Sequence, residues 1–197
     1  MKAVNYFKQI KNMIVSSAKD SVFVLSDFSS VAGSDTVRKS VQRLKEEGLV
    51  KPLLRGVYVR VFDGKAAEPR PDAVANAIAR NFGWNIVPKG DGALSVLGLS
   101  KHVPTRWVFA SDGMYRSYSF GDVTLEFKRT TKRLVSNISY KTAVIIQAVK
   151  SLGKGHVKQG EIDAIKGGLT ADERKTVLSE AGRASSWISD IIKKICG

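Results

Sequence analysis

The sequence predicts an α+β chain of two domains, and three observations carry that expectation. Residues 34–60, SDTVRKSVQRLKEEGLVKPLLRGVYVR, run from a helical period through a glycine stop into a hairpin. Residues 63–71, DGKAAEPRP, interrupt the periodic pattern with Gly, Ala and Pro, as a linker does. Beyond them, three alternating segments within residues 106–127 predict a small antiparallel sheet with helices on one side. The expected boundaries are 1–62 for a first domain, 63–71 for the linker and 72–197 for a mixed α+β domain.

Within the first domain, Ser34 is a suitable helix N-cap, and Asp35 suits the positive end of the helix dipole. Val37, Val41 and Leu44 recur at spacings of four and three and predict one buried face. Arg38, Lys39, Gln42 and Arg43 fall outside that stripe, and Gly48 stops the helix. Residues 49–54 follow as a strand, which Pro52 confines to a sheet edge. Arg55-Gly56 turns the chain into a second strand at 57–59. Upstream, Val4, Phe7, Ile10 and Ile14 predict a helix over 2–18 and residues 22–24 a short strand. Ser26 then caps a brief helix over 27–31, and Ala32-Gly33 is the turn into the longer one. Helix, strand, helix, turn, helix, hairpin is the order of a winged helix-turn-helix. In that fold the helix before the hairpin reads base edges in the major groove and the hairpin touches phosphate or the minor groove.

The second domain opens with a helix over 73–81 capped by Asp72, with Val74, Ala77 and Ile78 inward. A strand at 84–87 and a short helix at 92–99 precede the segments 106–110, 116–120 and 123–127. Asp112-Gly113 and Gly121-Asp122 are expected as hairpin turns between those segments. A very apolar helix begins at Tyr140. Thr170 with Glu173 forms a capping box for the next helix, with Val177 and Leu178 inward, and Ser186 caps a last helix rich in Ile.

Composition narrows the function. The 197 residues are 43% hydrophobic, enough for sizeable cores, and carry a net charge of +14 from 32 basic and 18 acidic side chains. Residues 1–70 hold +6 of that and residues 71–197 hold +8, so both domains favour a polyanionic partner. The single cysteine, Cys196, excludes an internal disulfide framework and a cysteine zinc site, and a reducing cytoplasm is expected. No apolar run reaches the length of a membrane span.

Five stretches carry a resemblance: VFVLSDF at 22–28, SVQRLKEEGLVKPLLRGVY at 40–58, DAVANAIARNFGWNIVPKG at 72–90, LGLSKHVPTRWVFASDG at 97–113 and GDVTLEFKRT at 121–130. In that order they resemble the AbiEi-like antitoxins of type IV toxin–antitoxin systems, bacterial proteins with an N-terminal winged helix and a C-terminal antitoxin domain. Residues 136–197 match only in being helical. The resemblance implies a repressor that binds inverted repeats in double-stranded DNA at its own promoter. It also implies an antitoxin that counteracts a nucleotidyltransferase-like toxin without a stable protein complex. Carried onto this sequence, the reading-helix roles fall on Thr36, Arg38, Lys39, Gln42 and Arg43, with Ser34 at the helix start, and the wing role on Arg55.

Two further constellations stand out. Lys128, Arg129, Lys132 and Arg133 form the densest positive run, expected as a surface for a polyanion or an acidic partner, or else as a solvated loop after a strand. Asp112 with Glu126-Phe127-Lys128 has the residue types of a metal-dependent nuclease, in which two carboxylates hold Mg²⁺ and a lysine stabilises developing charge. That reading is the enzymatic alternative, and a basic protein-binding adaptor is the third. An ordinary turn at Asp112-Gly113 and a cross-strand pair of Glu126 with Arg116 account for the same residues. His102 and His156 lack metal-ligand spacing, and no nucleophile elbow or phosphate-loop pattern occurs. No catalytic residue, metal or cofactor is therefore expected.

Overall fold

The computed structural model of the chain describes residues 5–130 and 137–197. The chain is α+β and divides into two compact units, residues 1–84 and 85–197.

The first unit begins with α1 (Tyr6–Val15), β1 (Val22–Val24), a 3-10 turn (Leu25–Phe28) and α2 (Ser34–Glu46). Ile10 and Ile14 of α1 meet Phe28 and the inner face of α2, formed by Val37, Val41 and Leu44. Val4, expected on the same stripe of α1, lies outside the described residues. Each fully buried side chain of this kind contributes about 1.5–3 kcal/mol, so this small cluster fixes the angle of α2. The second helix of the expected order is only this 3-10 turn; the Asp27 carboxylate accepts a hydrogen bond from the Val24 N–H at 2.9 Å. Ser34 is the first helical residue rather than the cap; Gly33 occupies the N-cap, so no side chain closes this helix start.

At its other end α2 closes as the glycine stop predicts. Gly48 has φ +71°, its N–H donates to the Lys45 carbonyl at 3.0 Å, and the Leu49 N–H donates to the Leu44 carbonyl at 2.9 Å. That is the Schellman arrangement, and it turns the chain into β2 (Val50–Leu54). β2 pairs antiparallel with β3 (Val57–Phe62), which pairs in turn with β1, giving the strand order β1-β3-β2 and leaving Pro52 on an edge strand. This is the winged-helix topology.

The stretch expected as a linker is largely structured within this unit. Lys65–Ala66 forms β4, antiparallel to the end of β3, and Asp63 and Gly64 take positive φ in the turn between them. The helix expected to open the second domain, α3 (Pro71–Phe82), belongs to the first unit and packs on β1, β3 and the 3-10 turn. Arg80 grips the Asp27 carboxylate with two hydrogen bonds, at 3.1 and 3.2 Å, and reaches the Val22 carbonyl at 3.3 Å. The expected boundary at 63–71 therefore moves to the junction of Trp84 and Asn85.

The second unit holds β5 (Ile86–Lys89), α4 (Asp91–Val96), β6 (Arg106–Ser111), β7 (Arg116–Phe120) and β8 (Val123–Arg129). The sheet order is β5-β6-β8-β7. β5 with β6 and β7 with β8 are antiparallel, but β6 and β8 run parallel, Phe109 opposite Phe127. Asp112-Gly113 is thus not a hairpin turn: the chain passes to the far edge as β7, and the Gly121-Asp122 turn returns it to the centre. Trp107, Phe109, Leu125 and Phe127 are buried, with Phe109 stacked between Trp107 and Phe127. Gly92 of α4 lies against this row; a Cβ there would stand 2.8 Å from the Trp107 ring.

Among the described residues, four α-helices follow in the unit: α5 (Tyr140–Leu152), α6 (Gln159–Gly167), α7 (Ala171–Glu180) and, after a 3-10 turn at Ala181–Arg183, α8 (Ser186–Cys196). α5 is buried on nearly every side. Ala143 and Val144 meet Val87 and Ala110 of the sheet, while Ile145, Ile146 and Val149 join Ile162, Ile165, Val177, Ile188, Ile192 and Ile195. Glu180 ties the end of α7 to the start of α5 by accepting from the Ser139 N–H and hydroxyl. Burial works to raise the Glu180 carboxyl, and bonds from Thr142 and Ser139 outweigh it and hold the group below the usual carboxylate range. The capping box of Thr170 with Glu173 is present, whereas Leu178 points outward. Ser185, one residue before the expected Ser186, is the N-cap of α8. Among the described residues, no helix is long and apolar enough to cross a membrane.

Candidate nucleic-acid interface

Burial of Val37, Ser40, Val41 and Leu44 forces the remaining positions of α2 outward. Ser34, Thr36, Arg38, Lys39, Gln42 and Arg43 are all exposed, but they do not form one set. Arg43 is turned toward α1. Its Nε donates to Glu47 at 3.0 Å and its guanidinium lies 4.1 Å from the Phe7 ring centroid. Lys11 of α1 donates to the same carboxylate at 2.8 Å. The Lys11 hydrogen bond, with lesser help from Arg43, holds the Glu47 carboxyl below its usual range. Arg43 thus links α2 to α1, while its side chain stays 63% exposed beside the outward face.

Lys39 and Gln42 lie near the centre of the outward face and Arg38 on its flank, at successive steps of about 100°. Gln42 donates to Glu46 at 2.9 Å, and Arg38 stands 3.6 Å from Asp35. Such exposed pairings are weak and exchange readily for a ligand. Lys45 is exposed on the Arg38 flank, seven residues on; that spacing would have identified it from sequence. A depression of about 240 Å³ between the 3-10 turn and the start of α2 is lined by Ser26, Ser29, Ser34 and Arg38, among others. Its wall is mainly apolar, with Leu25, Ala32 and Val37 beside the hydroxyls; the sequence assigned Ser26 only a capping role and did not single out Ser29, because the chain places them 5–12 residues from the helix positions they join. Arg55 is exposed at the tip of the wing, where Gly56 adopts φ +81°.

In the second unit Lys128 and Arg129 are not in a loop. Both belong to β8, paired with Ala110 and Ser111, and both are exposed. Lys132 and Arg133 lie outside the described residues. Lys128 shares a groove of about 410 Å³ with Lys89, Asp91 and Arg106. Sequence reasoning missed Lys89 and Arg106, which only the strand order brings beside Lys128.

Two of the residues lining this groove, Arg106 and Lys128, pair with Glu126. Arg106 donates to its two carboxylate oxygens at 2.8 and 3.1 Å, and Lys128 stands 3.6 Å away. The Arg106 hydrogen bonds dominate in lowering the Glu126 carboxyl, and the same pair raises the Arg106 guanidinium. The cross-strand partner of Glu126 is therefore Arg106, not Arg116. Asp112 instead accepts from the backbone N–H and side-chain amide of Asn85, both at 2.8 Å. Glu126 pairs with Val108, four residues before Asp112, so the two backbone positions lie roughly 13 Å apart along the strand direction. That separation is too great for two ligands of one ion. Among the described residues, no group of three His, Cys, Asp or Glu is placed to hold a metal.

The fold defines a winged-helix protein with an appended α+β unit. The chain belongs to the DUF6088 family, a family of unknown function, whose pattern matches residues 9–177. Among solved structures it is similar to the RV2827C protein from Mycobacterium tuberculosis, at 11% identity and a TM-score of 0.40, over 97% of this chain and 78% of that one. No curated protein matches the chain.

Proposed function

We propose that this protein is a cytoplasmic, DNA-binding repressor and antitoxin of a type IV toxin–antitoxin system. The first unit binds double-stranded DNA at inverted repeats in its own promoter. The second counteracts a nucleotidyltransferase-like toxin without a stable complex. One observation carries the DNA-binding part: α2 presents Arg38, Lys39, Gln42 and Lys45 outward, and the hairpin that follows it ends in exposed Arg55. Helix and wing on a net cationic unit suit base edges and phosphate at once. The antitoxin part rests on the sequence resemblance.

A protection footprint on the DNA upstream of the protein's own reading frame tests the reading. Protection of paired inverted repeats is expected, and uniform binding along the fragment would sink it. Arg38→Ala or Gln42→Ala is expected to cost about 1–3 kcal/mol on the specific sequence and to relax preference. Equal loss on random DNA would limit both side chains to phosphate. Arg55→Ala should weaken binding to all sequences and lower the slope of log K against log salt by roughly 0.9 for each phosphate that the wing no longer neutralises. An unchanged slope would take the wing off the backbone.

For the second unit, changing Lys128, Arg129, Lys132 and Arg133 together to Gln is expected to leave stability within about 0.5 kcal/mol; Lys128 and Arg129 are exposed, and exposed charges contribute little. It should also leave promoter binding intact and impair rescue of cells from the toxin. Full rescue at matched protein level would return these residues to a solvated surface.

A further inference from the structure

In the second unit, α5, the 3-10 turn and the first turn of α8 enclose a cavity of about 130 Å³. Its wall is apolar, with Ile138, Ala143, Ile146 and Ile188. One buried polar side chain interrupts that wall. Gln147 is only 8% exposed, and its amide makes no hydrogen bond to any described residue. The Gln147 amide atoms are not themselves sealed from solvent, so the cavity wall presents an open donor and acceptor to whatever enters. The cavity is also electrically one-sided. Lys150 and Arg183 line it and are exposed, and Lys150 has no ion-pair partner among the described residues. Arg183 donates to the Asn137 carbonyl, which holds its guanidinium on this side. The N-terminus of the 11-residue α8 opens at Ser185, another lining residue, whose hydroxyl makes no capping bond. Helix N–H groups and two cations at one mouth favour an anion. The carboxylate of Glu180, next to the 3-10 turn in the chain, is already engaged by Ser139.

We infer that this cavity binds a small apolar carboxylic acid in its anionic form. The apolar body lies against Ile138, Ile146 and Ile188. The carboxylate meets Lys150, Arg183 and the first N–H groups of α8, and accepts from the Gln147 amide. The volume is close to that of the roughly 150 Å³ apolar cavity known to admit benzene, so a six-membered ring or a branched chain of similar bulk fits.

Benzoate is the probe, titrated into the isotope-labelled full chain and followed by amide resonances. Saturable shifts are expected at the Gln147 side-chain amide and at the Ser186 and Trp187 backbone. Benzamide keeps the ring without the charge and acetate the charge without the ring; each should bind at least about tenfold more weakly. Lys150→Gln, an exposed change that leaves the core alone, should weaken benzoate about tenfold, and Ala143→Leu should abolish binding by filling the space. Absence of saturable shifts, or equal affinity for benzoate and benzamide, would overturn the assignment. So would benzoate binding unchanged in Lys150→Gln, which also decides the matter if Ala143→Leu does not fold.

Discussion

A fragment ending at Trp84 is expected to fold and melt cooperatively, whereas one ending at Arg70 is not. The shorter fragment loses α3, which packs on β1, β3 and the 3-10 turn that leads into α2. Val74 and Ile78 are almost wholly buried, and two such side chains are worth roughly 3–6 kcal/mol. The two-pronged grip of Arg80 on Asp27 goes with them, leaving Asp27 to hold the Val24 N–H alone. Against a total stability of about 5–15 kcal/mol for a small domain, that loss leaves little or no folded population. Denaturant titration of the two fragments measures it. A midpoint and slope shared by both would show that α3 adds nothing to the winged helix.

Ile192→Ala should destabilise the second unit by about 2–5 kcal/mol. Ile192 is fully buried on α8, in a cluster that also contains Ile145 and Val149 of α5, Ile165 of α6 and Val177 of α7. Truncation leaves a void among four helices, and the rigid backbone can close only part of it. Thermal unfolding should therefore show an early transition for this unit. Binding of operator DNA below that transition should persist, because α2 and the wing belong to the other unit. A destabilisation under about 1 kcal/mol would mean that the helices around α8 repack freely.

Much of the architecture is legible in the sequence because periodicity reports which side of an element is buried. The apolar stripe of α2, its glycine stop and the alternation of β8 all lie where the pattern puts them. What the pattern does not report is the partner. Val74, Ala77 and Ile78 announce that α3 packs, but nothing local says whether on the strands before it or after it. Turn residues show the same limit: Asp112-Gly113 ends β6, yet chain neighbours need not pair. β8, with buried Leu125 and Phe127, takes the centre of its sheet, while β7, with exposed Ser117 and Ser119, takes the edge. Segment 159–167, QGEIDAIKG, has two internal or terminal glycines and few apolar residues, so α6 left little trace.

The candidate interface was legible in part for the same reason. Exposure of Arg38, Lys39, Gln42 and Arg55 follows from position alone, whereas the turning of Arg43 onto Phe7 and Glu47 depends on α1. Lys89 and Arg106 join Lys128 only through the order β5-β6-β8, which separates them by up to 39 positions in the chain.

Pro52 has a bearing on self-association. β2 is the outer strand of the wing, and an outer strand offers unsatisfied backbone groups to any passing extended chain. Pro52 has no N–H to offer, Lys51 beside it is exposed and charged, and the pairing with β3 slips between Pro52 and Leu54, which bends the margin. A polyanion can therefore approach the hairpin, but a second hairpin cannot easily zip onto it. The margin of the wing therefore stays free of strand pairing even where copies of the chain are concentrated.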